Sequence, residues 1–550
     1  MVRSSLKSFS LTFPHLKKHR PGIVAYLSLS IMAGLLVMVT PYLIGDFIDT
    51  LIVGGSMAAV ARFCLLFAGI NIGRLAFGYA IMIIHTKVQT QAGHEFGQDA
   101  ISRVHGISLS FVNKRDTDYI TQVVNGDTQQ LTGFCVNVLS GFVLNSLSIV
   151  IPLSILFTLN PLITVIMAGF LLFYVLIYMC FKKPLFGRSM ALRSAQNTYF
   201  SKLLEQLKLT KFIKIHALQG LFRMRVDTGF GVLFKNTLRY QKLNYAYSSM
   251  DNILTTVVQV TLFLLGGYFI LTGGFTIGMF TVFSMYFTMI LGASKYFFNF
   301  GKTYQDSLVS HERLMDIYGK AVETNGETKL MGIEKIEARN LGFTYSESDK
   351  EALIENLNVV FTKGSIYAIA GKNGAGKSTF ISLIFGMYAD EVAGDLLFNG
   401  VSIKEIDMDW LRRRHMGMAE QEPVILSDEG YMYNANLSAS ESGDEPHDER
   451  EIKLAGYFRL LSLEEAESGN PIAEYTHTNL SGGERQKLAI VRVLLKNPDV
   501  MVFDEPTSAM DSPSAAAFAA YLHGIKKDKI VLVVTHDKEL MKEFDEIIEF

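Results

Sequence analysis

Six long apolar segments constrain the fold of this 550-residue chain more than any other feature of its sequence. Each is about as long as the roughly 20 residues that a helix needs to cross a bilayer. The segments are 23–45, 58–84, 134–158, 161–182, 252–272 and 275–299. Hydrophobic residues make up 49% of the chain and charged residues 19%, a balance too apolar for a wholly soluble protein of this size. Residues 1–320 are therefore predicted to form an all-α transmembrane domain with six spans.

The distribution of basic residues predicts how these spans are oriented. Two long polar connections, 85–133 and 183–251, are rich in lysine and arginine, whereas the short turns hold almost none. Because cytosolic loops carry an excess of Lys and Arg, both connections and both termini are predicted to be cytosolic. The basic N-terminal stretch is predicted to be an elbow helix on the cytosolic face. We expect a multi-pass protein of the inner (cytoplasmic) membrane.

The composition becomes polar and mixed after residue 300, which predicts a second domain. Residues 321–332 have the composition of a linker. From 333 to 550, short β-type runs such as IYAIA, VMVFD and IVLVV alternate with helical patterns. This alternation is typical of an α/β domain with a largely parallel sheet.

The stretch GKNGAGKST (371–379) lies between the apolar run IYAIA and the helical pattern FISLIFGMY. In this context it predicts a P-loop, whose glycines allow successive backbone N–H groups to surround phosphates. Lys377 would reach the β- and γ-phosphates, and Ser378 would bind Mg²⁺. A glycine-rich turn that merely begins a helix is the alternative. The residues predicted to contact nucleotide are Gly371, Lys372, Asn373, Gly374, Ala375, Gly376, Lys377, Ser378 and Thr379.

Two acidic residues follow the apolar run VMVF at 500–503. Asp504 is placed to bind the magnesium ion, and Glu505 is placed to polarise an attacking water. An apolar run with two acids at its end is otherwise typical of a strand followed by a solvated turn. The nearby P-loop favours the catalytic interpretation.

The order of the P-loop, LSGGE (480–484) and FDEPTSAMD resembles the nucleotide-binding domain of an ATP-binding cassette (ABC) transporter. The resemblance implies that Tyr345 stacks on adenine, unless it is an ordinary core aromatic. It implies that Gln421 touches Mg²⁺ and faces the membrane domain, and that Asp511 lies in a loop that communicates between sites. His536 would contact the γ-phosphate. The catalytic residues implied in this way are Lys377, Gln421, Glu505 and His536.

The same resemblance implies a role for the LSGGE turn. In this family the turn contacts an ATP molecule that is bound to the P-loop of a second, oppositely facing domain. The residues concerned are Ser481, Gly482, Gly483 and Glu484. Because the chain has one such domain, it is expected to pair with a second copy or with a homologous half-transporter. ATP and Mg²⁺ are the implied cofactors, and no nucleic-acid partner is expected.

The membrane half resembles an exporter half-transporter of the type IV fold. The resemblance implies short coupling helices near 111–119 and 208–215, and a connection at 304–318 to the nucleotide-binding domain. Amphipathic linker helices are the alternative interpretation of these stretches. The segment NPIAEYTHTN (470–479) departs from the acidic-glycine pattern of exporters, which leaves its contacts open. Thr117 likewise replaces a common glycine.

Two further expectations concern the ends of the chain. The sequence ends with DEIIEF soon after the THD motif, so shortened C-terminal strands and helix are expected. No cysteine-peptidase domain precedes the first span, so another protein would remove any leader peptide.

The function predicted from these features is ATP-driven export of an amphipathic peptide or a hydrophobic small molecule. Export of lipids or of multiple drugs is an alternative within the same class. A nucleotide-gated sensor or channel without pumping is an alternative from another class. The complete catalytic set favours a pump, because gating alone does not need efficient hydrolysis.

Three residues of the spans are candidates for cargo contact. Arg74 lies midway along the second predicted span, where a charge is costly and usually faces a cavity or a partner. It is predicted either to contact a cargo carboxylate or to form a structural pair with Asp251 or Asn145. Phe283 and Phe287 belong to an adaptable apolar surface of the sixth span. They are predicted either to line a cargo pocket or to pack in the ordinary way.

Overall fold

The computed structural model describes the chain except residues 1, 116, 346–352, 373, 427–428, 438–446, 464–479, 509 and 511. Three features of the predicted site therefore lie outside the described residues, namely Asn373, Asp511 and the divergent segment 470–479. The chain forms two compact units, one made of residues 1–102 and 117–319 and the other of residues 103–116 and 320–550.

Long helices account for the first unit. The helices of the N-terminal part of the chain are α1 (Val2–Lys18), α2 (Arg20–Ile52), α3 (Met57–Gly106), α4 (Leu109–Asn113), α5 (Thr117–Thr121), α6 (Thr128–Leu159), α7 (Pro161–Lys208), α8 (Thr210–Ile215), α9 (Gln219–Leu271) and α10 (Ile277–Tyr318). A π-helical turn, Gln122–Asp127, joins α5 to α6. Helix α4 and the last turn of α3 belong to the second unit.

Within the described residues, six helical segments are long and apolar enough to cross a membrane, which confirms the predicted number of spans. They correspond to α2, α3, the segment Thr117–Leu159, α7, α9 and α10. Helix α3 has 50 residues and is therefore about 75 Å long, well above the roughly 30 Å of a bilayer core. The helices thus continue beyond their apolar segments.

The sixth span, α10, packs closely on its neighbours inside the first unit. At its N-terminal end a Cβ atom on Gly278 would lie only 2.1 Å from the carbonyl oxygen of Gly45 on α2. Small residues allow helix backbones to approach in this way within membranes. Further along α10, Tyr286 is fully buried and donates a 2.7 Å hydrogen bond to the carbonyl of Met38.

Phe283 and Phe287 also lie inside this packed region, with exposed fractions of 0% and 3%. Being four residues apart on α10, they share one helix face. They pack in a cluster with apolar side chains from α6, α7 and α9, such as Leu156, Ile163 and Val258. Both side chains are thus packed in this structure, which favours the packing interpretation, and a place in a cargo pocket stays a prediction.

The described residues of the second unit form two sheets. Its strands are β1 (Lys335–Phe343), β2 (Ile354–Thr362), β3 (Ser365–Ala370), β4 (Ala393–Phe398), β5 (Val401–Ser402), β6 (Met416–Ala419), β7 (Val500–Asp504), β8 (Ile530–Val534) and β9 (Glu546–Glu549). The order β2-β1-β4-β5 forms an antiparallel sheet. The order β6-β7-β8-β3-β9 forms a parallel sheet, as predicted for the core of an α/β domain.

Helices surround these sheets. They are α11 (Lys377–Ile384), α12 (Met408–Arg414), α13 (Tyr431–Asn436), α14 (His447–Leu460), α15 (Gly482–Lys496), α16 (Ser512–Ile525) and α17 (Lys538–Met541). Every residue of β8 is buried, and so are the first four of β7, which explains their continuous apolar runs. Helix α15 contributes buried apolar side chains, among them Leu488 and Ile490, to a core cluster of this unit.

Residues 103–116 join the second unit through a short helix and polar contacts. Ser108 caps α4, and its hydroxyl donates a 2.5 Å hydrogen bond to Glu391, which also accepts a 2.7 Å bond from Ser110. Helix α4 begins two residues before the predicted segment 111–119. Helix α8 lies within the predicted segment 208–215.

Candidate functional site

The carboxyl edge of the parallel sheet brings together residues that are far apart in the sequence. Strand β3 leads into the loop 371–376, and β6 leads to Gln421. Strand β7 ends at Asp504, and β8 leads to His536. In open α/β sheets the crevice at this edge is the usual ligand-binding position.

The loop 371–376 has the backbone geometry of an anion-binding turn. Gly371, Gly374 and Gly376 have φ values of 152°, 83° and 96°, which side chains with a Cβ atom rarely adopt. Gly376 then caps the eight-residue helix α11, whose N-terminus faces the loop. The backbone N–H groups and the dipole at a helix N-terminus together favour a phosphate at this position.

Lys377 is the cation of this loop. Its side chain is only 8% exposed, and Nζ donates hydrogen bonds to the carbonyls of Gly371 at 2.8 Å and Lys372 at 3.1 Å. These two bonds fix the ammonium group within the turn. The next residue, Ser378, is exposed in the first turn of α11, where its hydroxyl is available to a ligand.

Asp504 is a half-buried carboxylate near this ammonium group. Burial raises the pKa of Asp504 above its ordinary value, the negative charge of Glu505 adds to that rise, and Lys377 opposes it. A divalent cation would relieve both the burial cost and the repulsion. Among the described residues no group of three or more His, Cys, Asp and Glu side chains could hold a metal alone.

Glu505 is held in an unusual conformation beside Asp504. Its φ angle is 49°, in the left-handed region that a non-glycine residue adopts only when the surroundings enforce it. The amide nitrogen of Gln421 donates a 2.8 Å hydrogen bond to one carboxylate oxygen. Nε2 of His536 lies 3.6 Å from the other oxygen. Three of the four side chains predicted to act in catalysis, Gln421, Glu505 and His536, therefore meet at one carboxylate.

Sequence reasoning missed Gln486, which holds the backbone of Glu505. Gln486 is 4% exposed, and its amide nitrogen donates a 2.7 Å hydrogen bond to the Glu505 carbonyl. Its amide oxygen accepts a 3.3 Å bond from the Ser508 hydroxyl. A signal was present, because Gln486 lies four residues before Ile490 on the buried side of α15. A polar residue on such a side needs a hydrogen-bond partner.

The LSGGE turn begins α15. Ser481 and Glu484 form a capping box, in which the Ser481 hydroxyl accepts a 3.3 Å bond and the Glu484 carboxylate accepts a 2.7 Å bond. Ser481 and Gly482 are exposed, and a Cβ atom on Gly482 would meet nothing within 4 Å. In the part of the chain that the structure describes, no hydrogen bond joins this turn to the loop 371–379. The turn is an exposed helix N-terminus, a position that favours an anion.

Tyr345 lies beside the first turn of α11. Its hydroxyl forms a 2.8 Å hydrogen bond with Thr379, and its ring meets those of Phe343 and Tyr388 edge to face at 4.9 and 5.8 Å. The residue remains 39% exposed, which leaves ring surface for stacking. Nζ of Lys114, just after α4, donates a 3.0 Å bond to the Tyr345 carbonyl.

Arg74 is exposed on α3, in the first unit. Asp251 pairs instead with Lys295, with 2.7 Å between the charged atoms. The Asn145 amide donates a 2.7 Å bond to the carbonyl of Gly141 on its own helix. Among the described residues Arg74 is thus not paired with Asp251 or Asn145 in this structure, and contact with cargo stays a prediction.

Comparison with known families matches both parts of the chain. The model described as "ABC transporter transmembrane region" matches residues 23–294, and the model described as "ABC transporter" matches residues 354–508. Together they include the first five apolar segments, most of the sixth, the P-loop, the LSGGE turn and Glu505. His536 lies beyond the matched residues.

Similar proteins include two translocation proteins. The alpha-hemolysin translocation ATP-binding protein of Escherichia coli O157:H7 is 26% identical over 98% of this chain and 76% of its own length. The leukotoxin translocation ATP-binding protein of Bibersteinia trehalosi is 26% identical over 100% and 77%. The solved structure of a bacterial Atm1-family ABC exporter with ATP bound has a TM-score of 0.82 and 18% identity, and the match covers 96% of this chain and 93% of that chain. That last match shows a common fold.

Proposed function

Because the chain belongs to the ABC transporter family, with a transmembrane region fused to an ATP-hydrolysing domain, we propose that it exports an amphipathic polypeptide across the cytoplasmic membrane. The catalytic part of this proposal rests on the position of the Glu505 carboxylate. It lies between the Gln421 amide and the His536 ring, at the edge of the sheet where the P-loop begins. This arrangement suits hydrolysis of a phosphoanhydride bond by water.

Each side chain of this edge has a proposed role. Lys377 leaves its two backbone carbonyls to bind the β- and γ-phosphates, and Ser378, Asp504 and Gln421 hold the magnesium ion. The ion, when bound, supplies positive charge to the phosphate oxygens. Glu505 accepts the proton of the attacking water, and His536 orients the γ-phosphate. Tyr345 stacks on the adenine ring.

The LSGGE turn is proposed to complete the site of a second copy. The open N-terminus of α15, with Ser481 and Gly482 exposed, favours an anionic group. It makes no hydrogen bond to the P-loop of its own chain within the described residues. Two chains that face each other would therefore enclose two ATP molecules, each bound by one P-loop and one LSGGE turn. A homologous half-transporter could replace the second copy.

Helix α3 provides the proposed route from hydrolysis to transport. It is continuous from Met57 to Gly106, and its last turn belongs to the ATP-binding unit whereas the rest belongs to the membrane unit. Glu391 accepts hydrogen bonds from Ser108 and Ser110, which ties the segment after α3 to the ATP-binding unit. A shift of that unit on closure would therefore move the cytosolic end of a membrane-spanning helix. We propose that both termini and the ATP-binding unit are cytosolic.

The cargo class is supported by the relatives. The two translocation proteins are named for alpha-hemolysin and leukotoxin. Their similarity extends over nearly the whole chain, including the spans that cargo would meet. This favours a polypeptide cargo over a lipid or a small drug.

Inverted vesicles that contain the purified chain would test the proposal. Uptake of a labelled amphipathic peptide should require Mg²⁺ and hydrolysable ATP, and a non-hydrolysable analogue should not support it. Parallel arms with a labelled lipid and with an apolar dye separate the other cargo classes. Uptake of lipid or dye without peptide uptake would overturn the cargo proposal. Peptide flux that is equal with the two nucleotides would show a gate instead of a pump.

A further inference from the structure

A cavity of about 140 Å³ lies among α7, α9 and α10 in the first unit. On α7 and α9 the polar lining residues recur at helical spacing, so that each of these two helices turns one polar stripe towards the cavity. The polar lining residues are Tyr178, Lys182 and Ser189 on α7, Tyr240, Asn244 and Tyr247 on α9, and Asn299 on α10. By the predicted limits of the spans, the cavity lies at the cytosolic end of the fourth, fifth and sixth spans, where cargo would enter.

Of the described residues that line this cavity, Lys182 alone carries a charge. Its Nζ lies 5.8 Å from the centre of the Tyr178 ring, and it forms no ion pair in the described ranges of the chain. A lysine is common at the cytosolic end of a span, where its side chain reaches the interface, but Lys182 also lines a cavity in which its charge can attract an anion. The nearest acid along α9 is Asp251, one turn beyond Tyr247.

Asp251 does not neutralise Lys182, because it already has a partner. It is 8% exposed and pairs with Lys295 of α10 at 2.7 Å. This pair has no net charge, so the cavity keeps the single positive charge of Lys182. The hydroxyl and amide groups around it provide further hydrogen-bond donors.

We propose that this cavity binds a carboxylate group of the polypeptide cargo, an inference that rests on the export function proposed above. A carboxylate would form a charge-assisted hydrogen bond with Lys182, which is stronger than a neutral one. The Asn244 amide and the Tyr247 hydroxyl can donate to its remaining lone pairs. Leu185 and Phe186 line the same cavity and offer apolar contact to the chain that carries the carboxylate. The role that sequence reasoning considered for Arg74 is thereby assigned to Lys182.

Binding of a paired peptide probe tests this assignment. The purified full-length chain in lipid nanodiscs is titrated with a dansyl-labelled amphipathic peptide that ends in either a free carboxylate or an amide. The wild-type chain should bind the carboxylate form about tenfold more tightly, as expected for one hydrogen bond to a charged group. Lys182→Gln should abolish this preference, and Lys182→Arg should keep most of it. Lys183→Gln is the matched control, because Lys183 is exposed and does not line the cavity.

Several outcomes would overturn the inference. These are equal binding of both peptide forms by the wild-type chain, no binding of either form, or an unchanged preference in Lys182→Gln. Loss of the preference in Arg74→Gln alone would move the site to Arg74. An anionic lipid is tested separately with nanodiscs that contain or lack phosphatidylglycerol. If Lys182→Gln reduces lipid retention and leaves the peptide preference intact, the site holds lipid and the inference fails. ATPase activity in the same samples shows independently whether the pump is functional.

Discussion

The Gln421 amide nitrogen donates a 2.8 Å hydrogen bond to the Glu505 carboxylate. The two residues follow β6 and β7, which are neighbours in the parallel sheet. Glu505 is therefore oriented by a residue of the adjacent strand's loop and not only by its own chain neighbours. Any movement of the Gln421 loop would change the position of the proposed base.

Replacement of Glu505 by glutamine should remove hydrolysis and keep ATP binding. The amide cannot accept the proton of the attacking water, and loss of a general base costs roughly 10²–10⁴-fold in rate. Phosphate release and binding of labelled ATP measure the two effects. The exposed acid Glu543 offers a control, because Glu543→Gln should change neither quantity. ATPase activity within a few-fold of the wild type would rule out Glu505 as the base.

Replacement of Gln486 by leucine should lower the turnover number more than the affinity for ATP. The change leaves the Glu505 carbonyl without its 2.7 Å partner, and an unpaired buried group costs about 1–3 kcal/mol in the free energy of unfolding. Steady-state ATPase kinetics give the turnover number and the KM for ATP. Trp410, the single tryptophan of the chain, reports unfolding of the ATP-binding unit by fluorescence. Lys487→Gln on the same helix should leave turnover and stability unchanged, and an equal effect there would argue against a specific role for Gln486.

Replacement of Glu391 by alanine should reduce transport more than ATP hydrolysis. The Glu391 carboxylate accepts hydrogen bonds from the hydroxyls of Ser108 and Ser110, in the segment that follows α3. Loss of the carboxylate should loosen that segment and leave the residues at the carboxyl edge of the parallel sheet unchanged. The ratio of transported peptide to released phosphate, measured in the same vesicles, should fall several-fold. Glu391→Gln should lie between the alanine variant and the wild type, because its amide oxygen still accepts hydrogen bonds. A parallel fall of both rates would contradict a role in coupling.

Asp499 gives the ATP-binding unit a stability that depends on pH. Burial acts to raise its pKa, but hydrogen bonds from His415 at 2.8 Å and from the Ile333 N–H at 3.0 Å outweigh burial. The pKa of Asp499 therefore lies below its ordinary value. A carboxyl group with a depressed folded-state pKa stabilises the protein above its unfolded pKa of about 3.9. That stabilisation is lost as the pH falls through the folded-state pKa.

Asp499→Asn should therefore be less stable than the wild type near neutral pH. The difference between the two should shrink as the pH falls below about 4. Denaturant unfolding followed by Trp410 fluorescence at a series of pH values measures this difference. A difference that stays constant down to the lowest pH would show that the Asp499 charge does not contribute.

The spans, the P-loop and the strand that ends at Asp504 could be predicted because each is encoded within a short stretch. A helix that crosses lipid must carry about 20 apolar residues in succession. A phosphate loop needs its glycines, lysine and serine at fixed spacing, because a few consecutive N–H groups form the site. Local sequence therefore determined the class of both domains and the nucleotide chemistry.

The tertiary structure decided which side chains meet across the sequence. Hydrogen bonds between separate elements join Gln486 to Glu505 and Ser108 to Glu391. No local sequence pattern encodes these pairs. Burial of Phe283 and the cavity around Lys182 depend on which faces of α6, α7, α9 and α10 pack together. An apolar helix in a membrane can turn any face towards lipid, cavity or neighbour at similar hydrophobic cost. Packing between helices, and not hydropathy, therefore decides where its functional residues lie.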